Sequence, residues 1–130
     1  MRQAWLPAAP EGAPRARAFV RETADHLRLD GDTTWELMLA TTEAFANAVE
    51  HGVPCPTRGI LLRVDCDGPR LGVEICDCGG VFPAERRSRK VAGEGGRGIP
   101  LIEAVTDRFE VDPGENSTRV RFEKLVAVAA

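Results

Sequence analysis

At 130 residues, 43% hydrophobic and 28% charged, the chain is long enough to bury one core of its own and too short for two domains. A formal net charge of −3 excludes the strong positive field that gathers nucleic-acid phosphates, and no run approaches the ~18 apolar residues of a membrane span. The proline-punctuated first twenty residues lack the apolar centre of a signal segment, so a single cytoplasmic domain over residues 1–130 is the expectation, without membrane or direct nucleic-acid contact.

In chain order, residues 3–6 read as a short first strand, ended by the proline-rich turn from Pro7 to Pro14. From Arg15, the spacing of Ala18, Phe19, Thr23, His26 and Leu27 predicts a helix running to about Leu29, with Pro14 at its start. Asp30, Gly31 and Asp32 then supply a turn and an N-cap for a longer helix, with Thr33 or Thr34 as the alternative cap. That helix carries the most informative stretch, LMLATTEAFANAVEHG. Trp35, Met38, Leu39, Thr42, Phe45, Ala46 and Val49 recur at three- and four-residue steps and predict its buried face. Glu43, Asn47 and His51 fall four apart and form a polar stripe, flanked by Ala40, Ala44 and Ala48, which leave room beside it. Taken alone, such a stripe is equally a solvated face.

Gly52, Val53 and Pro54 close the helix, and a loop follows through Arg58. Residues 59–67 and 70–76 are β-rich runs separated by Gly68 and Pro69, which predicts an antiparallel hairpin. Alternation of Val64, Cys66, Leu71, Val73 and Ile75 indicates a sheet covered on one face. From Asp77 to Gly98 all periodicity stops: six glycines, one proline and the basic cluster Arg86, Arg87, Arg89 and Lys90 make a loop whose length indicates either function or disorder. The basic cluster taken residue by residue is a solvated charged segment. A short helix from Ile99 to Val105 tolerates Pro100 in its first turn. Strands at 108–112 and 118–125, joined by a Pro-Gly-Glu-Asn turn, finish an α+β, two-layer fold with helices on one face of a mostly antiparallel sheet.

Four cysteines, Cys55, Cys66, Cys76 and Cys78, raise the question of zinc, but Cys-x-Cys is not the usual knuckle spacing. Cys66 and Cys76 fall inside the predicted strands, so reduced thiols acting as small buried hydrophobes are the expectation. Gly95, Gly96 and Gly98 directly before a helix form a loop whose amides can approach phosphate, although no Gly-Lys-[Ser/Thr] or βαβ context makes it a Walker or Rossmann loop. Asp77 leaves a strand immediately before Gly79 and Gly80, where a carboxylate can accept a hydrogen bond from an exocyclic amine while glycine lets a planar base come close.

These residues carry a resemblance. Glu43-x-x-x-Asn47 with His51-Gly52 is similar to the N box of the GHKL (Bergerat-fold) ATPases, Asp77-Cys78-Gly79 to the next box, Gly96-Arg97-Gly98 to the glycine box after the lid, and Ser117-Thr118 to the closing Gly-Thr. The Asn-Ala-x-x-His-Gly ending and the Gly-Arg-Gly-Ile-x-Leu-Ile string most resemble the bacterial anti-sigma-factor serine kinases. The resemblance implies a histidine-kinase-like ATPase fold and an ATP site between helices and sheet. Asn47 would hold Mg²⁺ against the phosphates and Glu43 would be the base that activates an attacking hydroxyl. Asp77 would read the adenine amine with support from Thr118, Gly79 would give the base room, and the amides of Gly96 to Gly98, with Arg97, would face phosphate. His51 would close the helix end. It further implies a homodimer whose partners are a sigma factor and a STAS-type antagonist phosphorylated on serine. Three departures stand out: Asp-Cys-Gly-Gly-Val moves the second glycine of the usual box forward by one, Ser117 replaces a glycine, and Pro100 follows the glycine box. They leave open a second reading, a nucleotide-binding interaction module with little or no chemistry.

Overall fold

The structure, a computed structural model, describes residues 1–51, 58–77, 98–113 and 118–126. The elements are β1 (Arg2–Leu6), α1 (Gly12–His26), α2 (Gly31–His51), β2 (Ile60–Asp67), β3 (Arg70–Asp77), α3 (Gly98–Val105), β4 (Arg108–Pro113) and β5 (Thr118–Leu125). The strands form one sheet in the order β1-β2-β3-β5-β4, with every pairing antiparallel. This is the α+β arrangement expected, and the order of elements agrees with it.

The local chemistry explains the boundaries. Asp67 and Arg70 face each other across the β2–β3 hairpin, and Gly68, at φ +62°, precedes Pro69 in the order a II′ turn demands. Gly59 enters β2 at φ +89°, and any side chain there would meet the Leu6 carbonyl of the neighbouring strand. The helix α1 starts three residues before the expected Arg15, because Pro14 is accommodated within the first turn, where its missing N–H needs no partner. It ends in a Schellman pattern: Leu29 N–H donates to the Ala24 carbonyl at 3.0 Å and Arg28 N–H to Asp25 at 3.1 Å, with Arg28 at φ +56°. Its buried face is Gly12, Ala16, Val20, Thr23 and Ala24, so the expected stripe through Ala18 and His26 is corrected: both are exposed. Asp30 caps α2, its carboxylate accepting the Thr33 N–H at 2.7 Å, and that bond holds the Asp30 carboxyl below its ordinary pKa.

The face that α2 buries also differs from expectation. Leu37, Ala40, Thr41, Ala44, Phe45 and Ala48 are the buried positions, whereas Trp35 is 61% exposed and Ala46 is exposed. The alanines expected to leave room beside the polar stripe instead let the helix lie close on the sheet. Large side chains then gather at one flank, where the Phe45 ring packs on the backbone of Gly12 in α1.

On the helix side of the sheet, Val64, Val73, Phe122 and Phe109 make one cross-strand row and Leu62, Ile75, Val120 and Val111 the next. These rows, with α2 and Ile102 of α3, form the core, each fully buried large side chain contributing about 1.5–3 kcal/mol. The other face is ionic. The Arg121 guanidinium lies across Gly72 and bonds Asp65 at 2.9 Å, Glu74 at 3.0 Å and Glu123 at 3.0 Å. Hydrogen bonding by Arg121 holds the Asp65 carboxyl below its ordinary range, and the same set of bonds raises Arg121 further above its own.

The two described cysteines are not core residues, which corrects the expectation for them. Cys66 is exposed beside the hairpin turn, and Cys76 is half-buried on the ionic face, where burial pushes its thiol pKa up. Cys55 and Cys78 lie outside the described residues, and among those described no cluster of His, Cys, Asp or Glu could hold a metal ion.

Candidate functional site

The end of β3 and the start of β5 bring two polar residues together. Asp77 and Thr118 are direct partners in the antiparallel register, and each continues the inward alternation of its strand: Leu71, Val73 and Ile75 before Asp77, Val120 and Phe122 after Thr118. Both are buried, Asp77 at 5% exposure and Thr118 at 1%. The sheet thus ends, on its helix side, in a carboxylate beside a hydroxyl instead of another apolar row.

The direction of α2 follows from its far end. Glu36 pairs with Lys124 of β5 at 2.8 Å, six residues beyond Thr118. Eleven residues of helix span about 16 Å and six of strand about 20 Å, so α2 carries Glu43 and Asn47 from the Lys124 end toward the Asp77 and Thr118 end. Glu43 and Asn47 are one turn apart and each is partly buried.

The hydroxyl of Thr118 and the amide nitrogen of Asn47 are buried and have no hydrogen-bond partner among the described residues. An unsatisfied buried polar group costs about 1–3 kcal/mol. An unsatisfied hydroxyl opposite a buried carboxylate suits a polar ligand, as does the open amide of Asn47 on α2. An amine-bearing base suits the Asp77 and Thr118 pair, and a hard cation suits the oxygen of the Asn47 amide. The residues present therefore fit a nucleotide with its divalent ion.

Of the residues expected at the site, the structure pairs Asp77 with Thr118 across neighbouring strands and sets Glu43 and Asn47 one turn apart on α2. Gly98 opens α3, while Gly79, Gly96, Arg97 and Ser117, and the His51 side chain, lie outside the described residues. Sequence reasoning missed two residues. Thr41 is fully buried with an unpartnered hydroxyl among the described residues, and its spacing from Leu37, Ala44 and Ala48 is the signal, legible once the buried face is known. Lys124 reads in sequence as an ordinary strand-end charge, yet its side chain is only 14% exposed.

Helices over one face of a five-stranded antiparallel sheet, with Asp77 and Thr118 ending its inner rows, make the two-layer sandwich that histidine-kinase-like domains share. The chain belongs to the histidine kinase-like ATPase domain family, which it matches over residues 6–124. It is 26% identical over 125 residues to the serine-protein kinase RsbW of Bacillus velezensis, a match covering 87% of this chain and 78% of the relative. Among solved structures, it resembles the RsbU and RsbW domains of a Mycobacterium tuberculosis protein with a TM-score of 0.75 at 21% identity, covering 99% of this chain and 32% of that one. The histidine kinase domain of the Escherichia coli osmosensor EnvZ shares the fold more loosely, with a TM-score of 0.52 at 17% identity over 75% of this chain and 68% of that one.

Proposed function

We propose that the protein is an ATP-dependent anti-sigma factor and protein serine kinase, which sequesters a sigma factor and phosphorylates a STAS-type antagonist on serine. The observation that carries the reading is the buried Asp77 and Thr118 pair, whose hydroxyl has no partner among the described residues, at the end of the sheet toward which α2 carries Glu43 and Asn47. The similarity to a serine-protein kinase directs it toward protein phosphorylation rather than another ATPase chemistry.

In this reading the Asp77 carboxylate accepts a hydrogen bond from the adenine amine, and Thr118 supports it through its hydroxyl. The family resemblance gives Gly79 the role of leaving the base room, and the amides of Gly96 to Gly98, with Arg97, that of meeting the phosphates. The Asn47 side-chain oxygen would hold Mg²⁺, which would supply neutralisation of phosphate charge. Glu43, one turn away, takes the proton of the incoming serine hydroxyl as that oxygen bonds to the γ-phosphorus and ADP departs. A cytoplasmic homodimer is the form expected of it.

The test is incubation with labelled ATP, Mg²⁺ and the cognate antagonist. Label should appear on the antagonist serine, and its absence under conditions where ATP binds would falsify the kinase assignment. A second reading, a nucleotide-binding module that holds a partner without chemistry, is favoured by the displaced glycine in Asp-Cys-Gly-Gly-Val and by Ser117. Glu43→Ala separates the two: under the first it abolishes phosphorylation and leaves partner binding intact, and under the second the cellular phenotype does not change.

A further inference from the structure

Lys124 makes two contacts that tie together the helices flanking the proposed site. Its ammonium pairs with Glu36 of α2 at 2.8 Å and donates to the backbone carbonyl of Val105, the last residue of α3, at 2.9 Å. The Val105 carbonyl is one of the orphan acceptors at a helix carboxyl end, where a cation is favoured. Neighbouring bonds pin the same end: the Thr106 hydroxyl donates to Ile102 at 2.7 Å, Asp107 N–H to Glu123 at 2.9 Å, and Leu125 N–H to the Asp107 carboxylate at 2.6 Å.

The consequence lies at the opposite end of α3. Its carboxyl end is held beside Glu36, in the amino-terminal part of α2, and Ile102 is fully buried in the shared core. An antiparallel run of the two helices fits both contacts. Eight residues of helix reach about 12 Å, which in that arrangement carries the first turn of α3, beginning at Gly98, toward the stretch of α2 that holds Glu43 and Asn47. A tether at one end of a short rigid rod sets the position of the other.

Building on the nucleotide reading, we infer that Lys124 is a positioning residue. By bridging Glu36 and the Val105 carbonyl it fixes the register of α3 against α2, and so fixes where the α3 amino terminus meets phosphate relative to Asn47 and Glu43. It touches no substrate itself.

The test compares binding of ATP and of adenosine, by titration calorimetry, in the wild type and Lys124→Met. Adenosine engages only the base pocket at Asp77 and Thr118, whereas ATP also depends on the α3 terminus. ATP affinity should fall roughly tenfold and adenosine affinity stay within about twofold, with an adenosine-saturated protein that still melts cooperatively. Should Lys124→Met fail to fold, Glu36→Gln, which removes only the charge of the partner, should shift the same ratio in the same direction. Equal loss for both ligands reveals a merely structural tether and overturns the inference, as does unchanged ATP binding. A wild type that binds neither ligand overturns the nucleotide reading itself, a result distinct from either.

Discussion

At the scale of single residues, several positions accept a local cost that neighbouring groups offset. Arg28 holds a left-handed backbone at the end of α1 so that the Schellman bonds from Arg28 and Leu29 can form. A side chain in that region is disfavoured, so Arg28→Gly should stabilise the protein by about 0.5–1 kcal/mol, read as a raised denaturant midpoint at unchanged m-value. Asp65 illustrates a charge effect with a defined sign. Its carboxyl is depressed in the folded protein by Arg121, so the stability it contributes is present above the ordinary carboxylate pKa and is lost as pH falls through the lower, folded value. Asp65→Asn should therefore be less stable than wild type at pH 7, with the difference closing on acidification below about pH 4, measured by urea unfolding across that range. At the candidate site, Asp77→Asn should weaken ATP binding at least tenfold while leaving the fold intact, as followed by calorimetry and circular dichroism. Asparagine keeps one acceptor oxygen, but it puts an NH2 in place of the other and loses the charge that strengthens the bond from the adenine amine.

Among the elements, α2 organises the rest. Its alanines at 40, 44 and 48 bring it down onto the sheet, and Phe45 fills the angle between α2 and α1 by packing on Gly12. Phe45→Ala should cost about 3–5 kcal/mol, because the neighbouring backbone cannot collapse into the space left behind. Gly12→Ala should also destabilise, since a methyl there would lie 2.6 Å from the buried Phe45 ring and press on the Pro7 carbonyl in the β1-to-α1 turn. Thermal unfolding of the two single variants and their double would show the coupling: once Phe45 is removed, Gly12→Ala should cost less. The choice of buried face shows why this helix was only partly legible beforehand. Hydrophobicity ranked Trp35 and Ala46 as inward positions, yet what faces a sheet at close range is decided by size, and Trp35 extends into solvent near the first turn.

Across the whole molecule, one face of the sheet is apolar and covered by helices, while the other is a paired ionic surface centred on Arg121. The inner rows stop being apolar at the end where β3 finishes and β5 begins, and the polar half of α2 points toward that end. The proposed site thus lies at one end of a continuous core, and the Lys124, Glu36 and Val105 contacts lie toward the other. Removing Glu43 should consequently separate chemistry from stability: Glu43→Ala should retain the wild-type melting temperature within about 2 °C and lose phosphoryl transfer, as assayed with labelled ATP.

The order of elements, the hairpin at Gly68 and Pro69, and the one-turn spacing of Glu43 and Asn47 were all determined by the sequence itself. Periodicity, turn residues and helical spacing are local properties, and each of these features is local or nearly so. Tertiary structure alone decided which face of α2 is buried, that Cys76 turns to the ionic side, that Thr118 is the register partner of Asp77, and that Lys124 joins two helices. Each depends on groups far apart in the chain meeting at a fixed distance, and a pattern of residue types along one strand or helix carries no information about what will be packed against it.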